Sequence, residues 1–221
     1  MAVFAETRNA GLPPLALDLT AATVVASPAA GLEGKAVAVL IEEAGRRTLR
    51  PWPQSDRLPA QGPAIVIGTF ARVRALLGDR AADFALDENR VAAEGYRLAT
   101  GRTTDGAPLV VIAGRDARGV LYGIGHVLRK LHLGPARAGL MAPLDLATSP
   151  RWPLRGHQLG VRANPNSYSG WDPAHWEQYI RDLALFGANA IELVPPRTDY
   201  PQLSPDFTRP QLETMAVMSR I

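Results

Sequence analysis

Glu94-Gly-Tyr-Arg-Leu-Ala-Thr100, a Gly- and Asp-containing turn, Leu109-Val-Val-Ile-Ala113, and then Asp116 through Lys130 form the stretch that decides the fold. The first segment alternates, with Tyr96 and Leu98 on one face, and the second is an apolar run, so the pair makes a β-hairpin. The third changes period. Asp116 caps a helix whose Val120, Ile124, Val127, Leu128 and Leu131 share one stripe, with Arg129 and Lys130 at its negative end. Gly119, Gly123 and Gly125 lie inside that helix. Each interior glycine costs up to about 1 kcal/mol against alanine, so three of them predict a helix unusually close to the sheet.

Working outward, Ala142-Pro-Leu-Asp-Leu-Ala147 returns as one more strand. Upstream, Ala22-Thr-Val-Val-Ala-Ser27 reads as a short buried strand closed by Pro28. A helix follows, carrying Leu32, Ala36, Val39, Leu40 and Ala44 at helical spacing. Glu42/Arg46 and Glu43/Arg47 make i,i+4 pairs on an outer face expected to be solvated. Residues 51–63, with Pro51, Pro53, Pro59, Gly62 and Pro63, read as a loop before the strand Ala64-Ile-Val-Ile-Gly68. Thr69 is expected to cap a short helix bearing Phe70, Val73, Leu76 and Leu77, which Gly78 ends. The order β-α-β-α-β-β-α-β predicts an α/β protein, a two-layer sandwich with helices on a mixed sheet. Its limits are set at 22–150, after a Pro- and Gly-containing lead over 1–21.

Thr148-Ser-Pro-Arg-Trp-Pro153 marks a boundary, and half of the chain's Trp, Tyr and Phe residues fall between 152 and 200. Leu154 to Val161 suits a strand. Asp172-Pro173 is a strong helix start, Trp176, Tyr179, Ile180, Leu183 and Phe186 form its buried stripe, and Gly187 stops it. Ala190-Ile-Glu-Leu-Val194 is a second strand, so residues 151–221 open with one βαβ unit, which requires parallel pairing.

Composition excludes several classes. Apart from Lys35 and Lys130 the 24 basic residues are arginines, scattered singly among 21 acids, and the net charge is only +3. No basic patch interleaved with aromatics exists, so nucleic acid is not an expected partner. The absence of Cys removes thiolate metal sites and thiol nucleophiles. His126, His132, His157 and His175 show no metal spacing, so neither a metal nor a cofactor is expected. Gly114-Arg-Asp-Ala-Arg-Gly119 has a P-loop gap, but Val120-Leu121 stands where Lys-Ser/Thr must bind phosphate. Gly68-Thr-Phe lacks the further glycines of a dinucleotide fingerprint, and no Gly-x-Ser-x-Gly elbow occurs. No window approaches the ~18 uncharged apolar residues of a membrane span. The start, Met1-Ala-Val-Phe-Ala-Glu-Thr-Arg8, lacks the signal-peptide pattern, so compartment stays open.

Arg155-Gly-His-Gln-Leu-Gly-Val-Arg162, Asn164-Pro-Asn-Ser-Tyr-Ser-Gly-Trp171, and the helix ending in Gly187-Ala-Asn189 before a strand resemble the opening of the barrel in family 20 hexosaminidases. They are also similar to the corresponding region of α-N-acetylglucosaminidases and α-glucuronidases. Glu94-Gly-Tyr-Arg-Leu, strand 109–113 and Asp116-Ala-Arg-Gly-Val-Leu-Tyr-Gly-Ile-Gly resemble the small accessory domain that precedes those barrels. By this resemblance Arg155 hydrogen-bonds sugar hydroxyls, a task suited to a guanidinium fork. Gly160 stands where hexosaminidases usually have Asp, and Arg155 starts its strand. Barrel sites lie at the carboxyl ends of strands, which favours Arg162, the loop 163–171 and Arg197. Trp171 and Tyr168 either stack on a sugar ring or pack the loop, and Glu192 is either a pocket carboxylate or a satisfied core group.

The resemblance implies a glycosidase acting on terminal bonds, N-acetylhexosaminides among them. Glycoside hydrolysis needs two carboxyl groups, or one assisted by the substrate's acetamido group. In family 20 the Asp-Glu pair follows strand four, and residues 151–221 fall far short of the roughly 250 of a (β/α)8 barrel. The expectation is therefore a fragment of a carbohydrate-active enzyme, inactive alone, with the first βαβ of an incomplete barrel and an apolar edge prone to self-association. The alternative is a non-catalytic carbohydrate-binding or interaction module.

Overall fold

The computed structural model describes residues 14–160, 171–194 and 211–220. In chain order the elements are β1 (Leu17–Asp18), β2 (Thr23–Val25), α1 (Gly31–Thr48), β3 (Gln54–Ser55), β4 (Ala64–Thr69), α2 (Phe70–Leu77), β5 (Tyr96–Arg102) and β6 (Pro108–Gly114). They continue with α3 (Ala117–Lys130), β7 (Leu131–Gly134), β8 (Arg137–Leu140), β9 (Asp145–Thr148), β10 (Gly156–Gly160), α4 (Pro173–Leu185), β11 (Ala190–Val194) and α5 (Gln211–Met218). Two 3-10 turns, Gly78–Phe84 and Glu88–Arg90, lead from α2 toward β5.

A mixed sheet in the order β3-β2-β4-β6-β5-β9 is the frame. Strands β2, β3, β4 and β6 run parallel, while β5 pairs antiparallel with both β6 and β9. The hairpin expected over 94–113 is present, with Leu98 opposite Ile112. The final strand lies at 145–148, a few residues later than the expected 142–147.

Successive residues in the central strands point to opposite faces. Val24, Ile65, Ile67, Leu98, Val110 and Ile112 pack beneath α1 and α3. Val25, Ala64, Val66, Leu109, Val111 and Ala113 pack against Phe70, Val73 and Leu77 of α2 and against Phe84. Helical segments therefore cover both faces, correcting the expected two-layer sandwich. The physical reason is visible in β4, whose Ala64 to Ile67 are all buried, as strands of a parallel region covered on both sides must be.

Four short strands escape the sequence pattern. β3 lies inside the proline-containing loop and pairs parallel with β2, and β1, within the N-terminal lead, joins β8 and β7 in a small antiparallel sheet. At α2, Thr69 occupies the cap position but its side chain makes no capping hydrogen bond, correcting that expectation. Its N–H instead donates to Glu33 Oε1 at 3.4 Å.

The glycine helix lies as close to the sheet as expected. A Cβ on Gly119 would stand 2.3 Å from Gly95 O, and one on Gly123 would stand 2.8 Å from Ile112 Cγ2. Gly125 faces elsewhere: a Cβ there would meet Leu185 O at 2.0 Å, so α3 carries α4 on its other side. Strands β10 and β11 pair in parallel, Gln158 opposite Glu192, with α4 connecting them. Leu159, Trp176 and Met218 form the centre of this unit's own small core. Because Gln178 and Arg181 of α4 reach Glu43, Arg46 and Glu42 of α1, the supposed solvated face of α1 is partly an interface. Glu43 is buried and paired with Arg46 and Arg47, while Glu42 accepts from Arg181 of α4 at 2.5 Å.

Candidate functional site

A dense polar cluster lies where the amino ends of β10 and β11 meet the α/β domain. Glu94 immediately precedes the Gly95-Tyr96 entry to β5, with a left-handed backbone, φ 60°. Its N–H donates to Asp116 Oδ2 at 2.8 Å, which ties it to the cap of α3. Its carboxylate accepts from three segments: Arg118 Nη1 at 2.9 Å, Arg155 Nη2 at 2.5 Å and Asn189 Nδ2 at 3.3 Å.

Arg155 places each of its three guanidinium nitrogens on a protein acceptor. Nε donates to Gly187 O and Nη1 to Trp152 O, each at 2.7 Å, and the group lies 5.3 Å from the centre of the Tyr122 ring. Asn189 closes the turn in the same way. Its Oδ1 accepts from Arg155 N at 2.9 Å, its Nδ2 donates to Pro153 O at 2.8 Å, and its own N–H donates to Arg155 O at 2.9 Å. The carbonyls that end α4 point at donors from α3: Arg129 Nη1 reaches Leu185 O at 2.5 Å and Tyr122 Oη reaches Ala188 O at 3.2 Å. Cationic side chains at a helix carboxyl end also complement its dipole.

Burial by itself would raise the Glu94 pKa, but the hydrogen bonds from Arg155, Arg118 and Asn189 outweigh it and hold the group below its ordinary 4.5. Asp116, Tyr122 and Arg118 of α3 and Arg155 before β10 are the ionisable groups around it. A carboxylate whose folded pKa is depressed stabilises the fold fully above the ordinary value and loses that contribution as pH falls through the lowered one. The stability gap between the wild type and Glu94→Gln is therefore expected to be constant from about pH 6 to 8 and to shrink below about pH 4.5. Urea unfolding across that range checks this, and a pH-independent gap contradicts it.

The described residues do not gather the sequence-predicted site into one place. Arg155 lies at the amino end of β10, in the cluster above. Glu192 sits in mid-strand on β11, exposed, accepting from Gln158 Nε2 at 2.9 Å on the face turned away from α4. Trp171, just before the Asp172 cap, packs edge-on to Trp176 and Tyr179 at 5.0 and 5.1 Å and stacks near His175, so it belongs to the small core while remaining half-buried. Arg162, Tyr168, most of the loop 163–171 and Arg197 lie outside the described residues. Glu94 and Asn189 carry no site signal of their own in the sequence, although both stand inside the quoted motifs. A cleft of about 190 Å³ runs along the joint beside Tyr96, Tyr122, Arg129, Arg155 and Phe186. It is smaller than the roughly 300–1,000 Å³ of ligand pockets. No helix among the described residues is long and apolar enough to cross a membrane.

Residues 31–126 match the family model of the Glycosyl hydrolase family 67 N-terminus. Among solved structures, a family GH115 4-O-methyl-α-glucuronidase with specificity for decorated arabinogalactans is similar at 15% identity and a TM-score of 0.55, over 78% of this chain and 24% of that one. The GH84 protein CpGH84B is similar at 15% identity and a TM-score of 0.53, over 91% and 31%. A mutant β-hexosaminidase of Streptomyces plicatus, in complex with its product GlcNAc, is similar at 16% identity and a TM-score of 0.50, over 77% and 29%. The chain thus spans less than a third of the length of each. No curated protein matches significantly. The resemblance to a glycoside hydrolase N-terminal accessory domain is borne out, and at these identities the structural likenesses speak for the fold alone.

Proposed function

We propose that the chain is part of a carbohydrate-active enzyme that hydrolyses terminal glycosidic bonds, with residues 22–150 as its accessory domain and 151–221 as the first βαβ of a (β/α)8 barrel. The observation that carries this reading is the family 67 N-terminal match over 31–126, together with a parallel β10-α4-β11 unit mounted on the same domain. In such barrels the site is built at the carboxyl ends of the strands. Arg162 and Trp171 are therefore our candidates for sugar contact, and Glu192, on the face that would line the barrel, our candidate pocket carboxylate. Two carboxyl groups, or one with substrate assistance, are required for the hydrolysis, and on this reading they are supplied by sequence outside these 221 residues.

N-acetylhexosaminides and 4-O-methylglucuronides are the two substrate classes the similar structures suggest. The test uses aryl glycosides of both. The 221-residue chain is expected to release no aglycone, whereas the polypeptide extended through its downstream reading frame releases one of the two. Turnover by the chain alone, or a downstream frame encoding no further βα units, overturns the proposal. Saturable sugar binding by the 221-residue chain in calorimetry, combined with an inactive extended protein, favours the binding-module reading instead.

A further inference from the structure

We propose that Glu94 is the positioning residue that seats the β10-α4-β11 unit on the α/β domain, and that Arg155 and Asn189 serve this joint and not a ligand. The argument rests on geometry independent of which sugar the enzyme takes. One carboxylate collects donors from three segments, and both arginines it binds belong to different elements, α3 and the approach to β10. The side chains of Glu94 and Arg155 are only 14% and 20% exposed, so neither charge is left to solvent if its partner goes. Arg155 has each of its three guanidinium nitrogens on a protein acceptor, and Asn189 uses both its side-chain oxygen and nitrogen on protein, so the hydrogen bonds shown for both residues all lie within the joint, although Arg155 also borders the cleft beside it.

The backbone points the same way. A non-glycine residue in the left-handed region costs of order 1 kcal/mol or more and persists where its surroundings over-determine it. Here Asp116 accepts the Glu94 N–H, and Gly95 beside it has no room for a side chain, since a Cβ would stand 2.5 Å from Ser149 Oγ and 2.9 Å from Thr148 O. The strained residue is thus locked with its carboxylate turned toward β10 and β11. The cluster lies at the amino ends of those strands, whereas substrate chemistry in a barrel takes place at the carboxyl ends. The joint therefore sets the orientation of the unit from the side opposite to the one where a sugar would bind.

Amide hydrogen exchange on the 221-residue chain tests this. Glu94→Gln is expected to raise exchange at 156–160 and 185–194 by about tenfold or more, and by clearly more than at 64–69 and 108–114, because a local opening exposes only the amides it releases. Arg155→Lys, which keeps the charge but loses the fork, is expected to accelerate the same amides by a smaller factor. The double variant should exceed Glu94→Gln by less than the factor Arg155→Lys gives alone, as residues of one network are not additive. A uniform rise over the whole chain, no rise at all, or additive effects overturn the proposal. Should Glu94→Gln not fold, Arg155→Lys carries the same selective expectation by itself.

Discussion

Gly119→Ala is expected to destabilise the α/β domain by about 3 kcal/mol, even though alanine is the better helix former by up to about 1 kcal/mol. The added methyl would stand 2.3 Å from Gly95 O and 3.3 Å from Gly114 Cα. Both are backbone atoms, and Gly95 O also accepts the Arg115 N–H at 2.8 Å, so it has no freedom to swing aside. The first turn of α3 must instead lift from the ends of β5 and β6, disturbing the burial of Val120 and Ile124 beneath it. Gly123→Ala should cost less, because its nearest obstacle is a side-chain methyl, Ile112 Cγ2 at 2.8 Å. Gly125→Ala meets backbone again, Leu185 O at 2.0 Å, but on α4, so its loss should fall on the joint while the domain beneath survives. Urea midpoints at unchanged slope measure the first two, and exchange at 185–194 measures the third. Equal midpoints for Gly119→Ala and Gly123→Ala would show that the close approach does not govern stability.

These glycines also show what a sequence exposes and what it conceals. Three interior glycines in an otherwise well-patterned helix announce a close approach, because nothing else justifies their cost. Which body is approached is a different matter: Gly119 and Gly123 face the sheet, while Gly125 faces a helix sixty residues further along the chain. The hairpin 96–114 and the Asp116 cap were legible because their physics is local, alternation in one case and a side chain reaching its own helix in the other. β1 and β3 were not, since two residues carry no period and their pairing is decided by distant strands. The unbroken apolar run in β4 did contain the evidence for cover on both faces, but on the second face that cover is α2, a helix of eight residues, with the 3-10 turn after it and the loop residues Leu86 and Val91. Arg155 shows the limit most clearly. A guanidinium fork suits vicinal hydroxyls and carboxylates alike, and nothing near it in the sequence reveals that Glu94 folds against it.

Asp116→Ala is expected to cost about 3 kcal/mol, more than the ~1 kcal/mol typical of a lost helix cap. The excess arises because the two carboxylate oxygens do separate work. Oδ1 accepts from Gly119 N at 2.8 Å and caps α3, while Oδ2 accepts from Glu94 N at 2.8 Å and holds the left-handed residue in place. Removing the second bond leaves a part-buried N–H unmet, a penalty of roughly 1–3 kcal/mol, on a backbone that is already strained. Asparagine separates the two contributions. Its Oδ1 still caps α3, but its amide nitrogen is a donor and meets the Glu94 N–H donor to donor, so Asp116→Asn should recover the capping share alone. Urea unfolding of both variants, with exchange at the Glu94 amide, measures the division. If Asp116→Asn is as stable as the wild type, or Asp116→Ala costs no more than a cap, the Oδ2 bond is not supporting Glu94. If the division holds, the cap that starts α3 also reaches β10: freeing the Glu94 backbone lets its carboxylate leave Arg155, so Asp116→Ala should accelerate exchange at 156–160 without any contact to those residues.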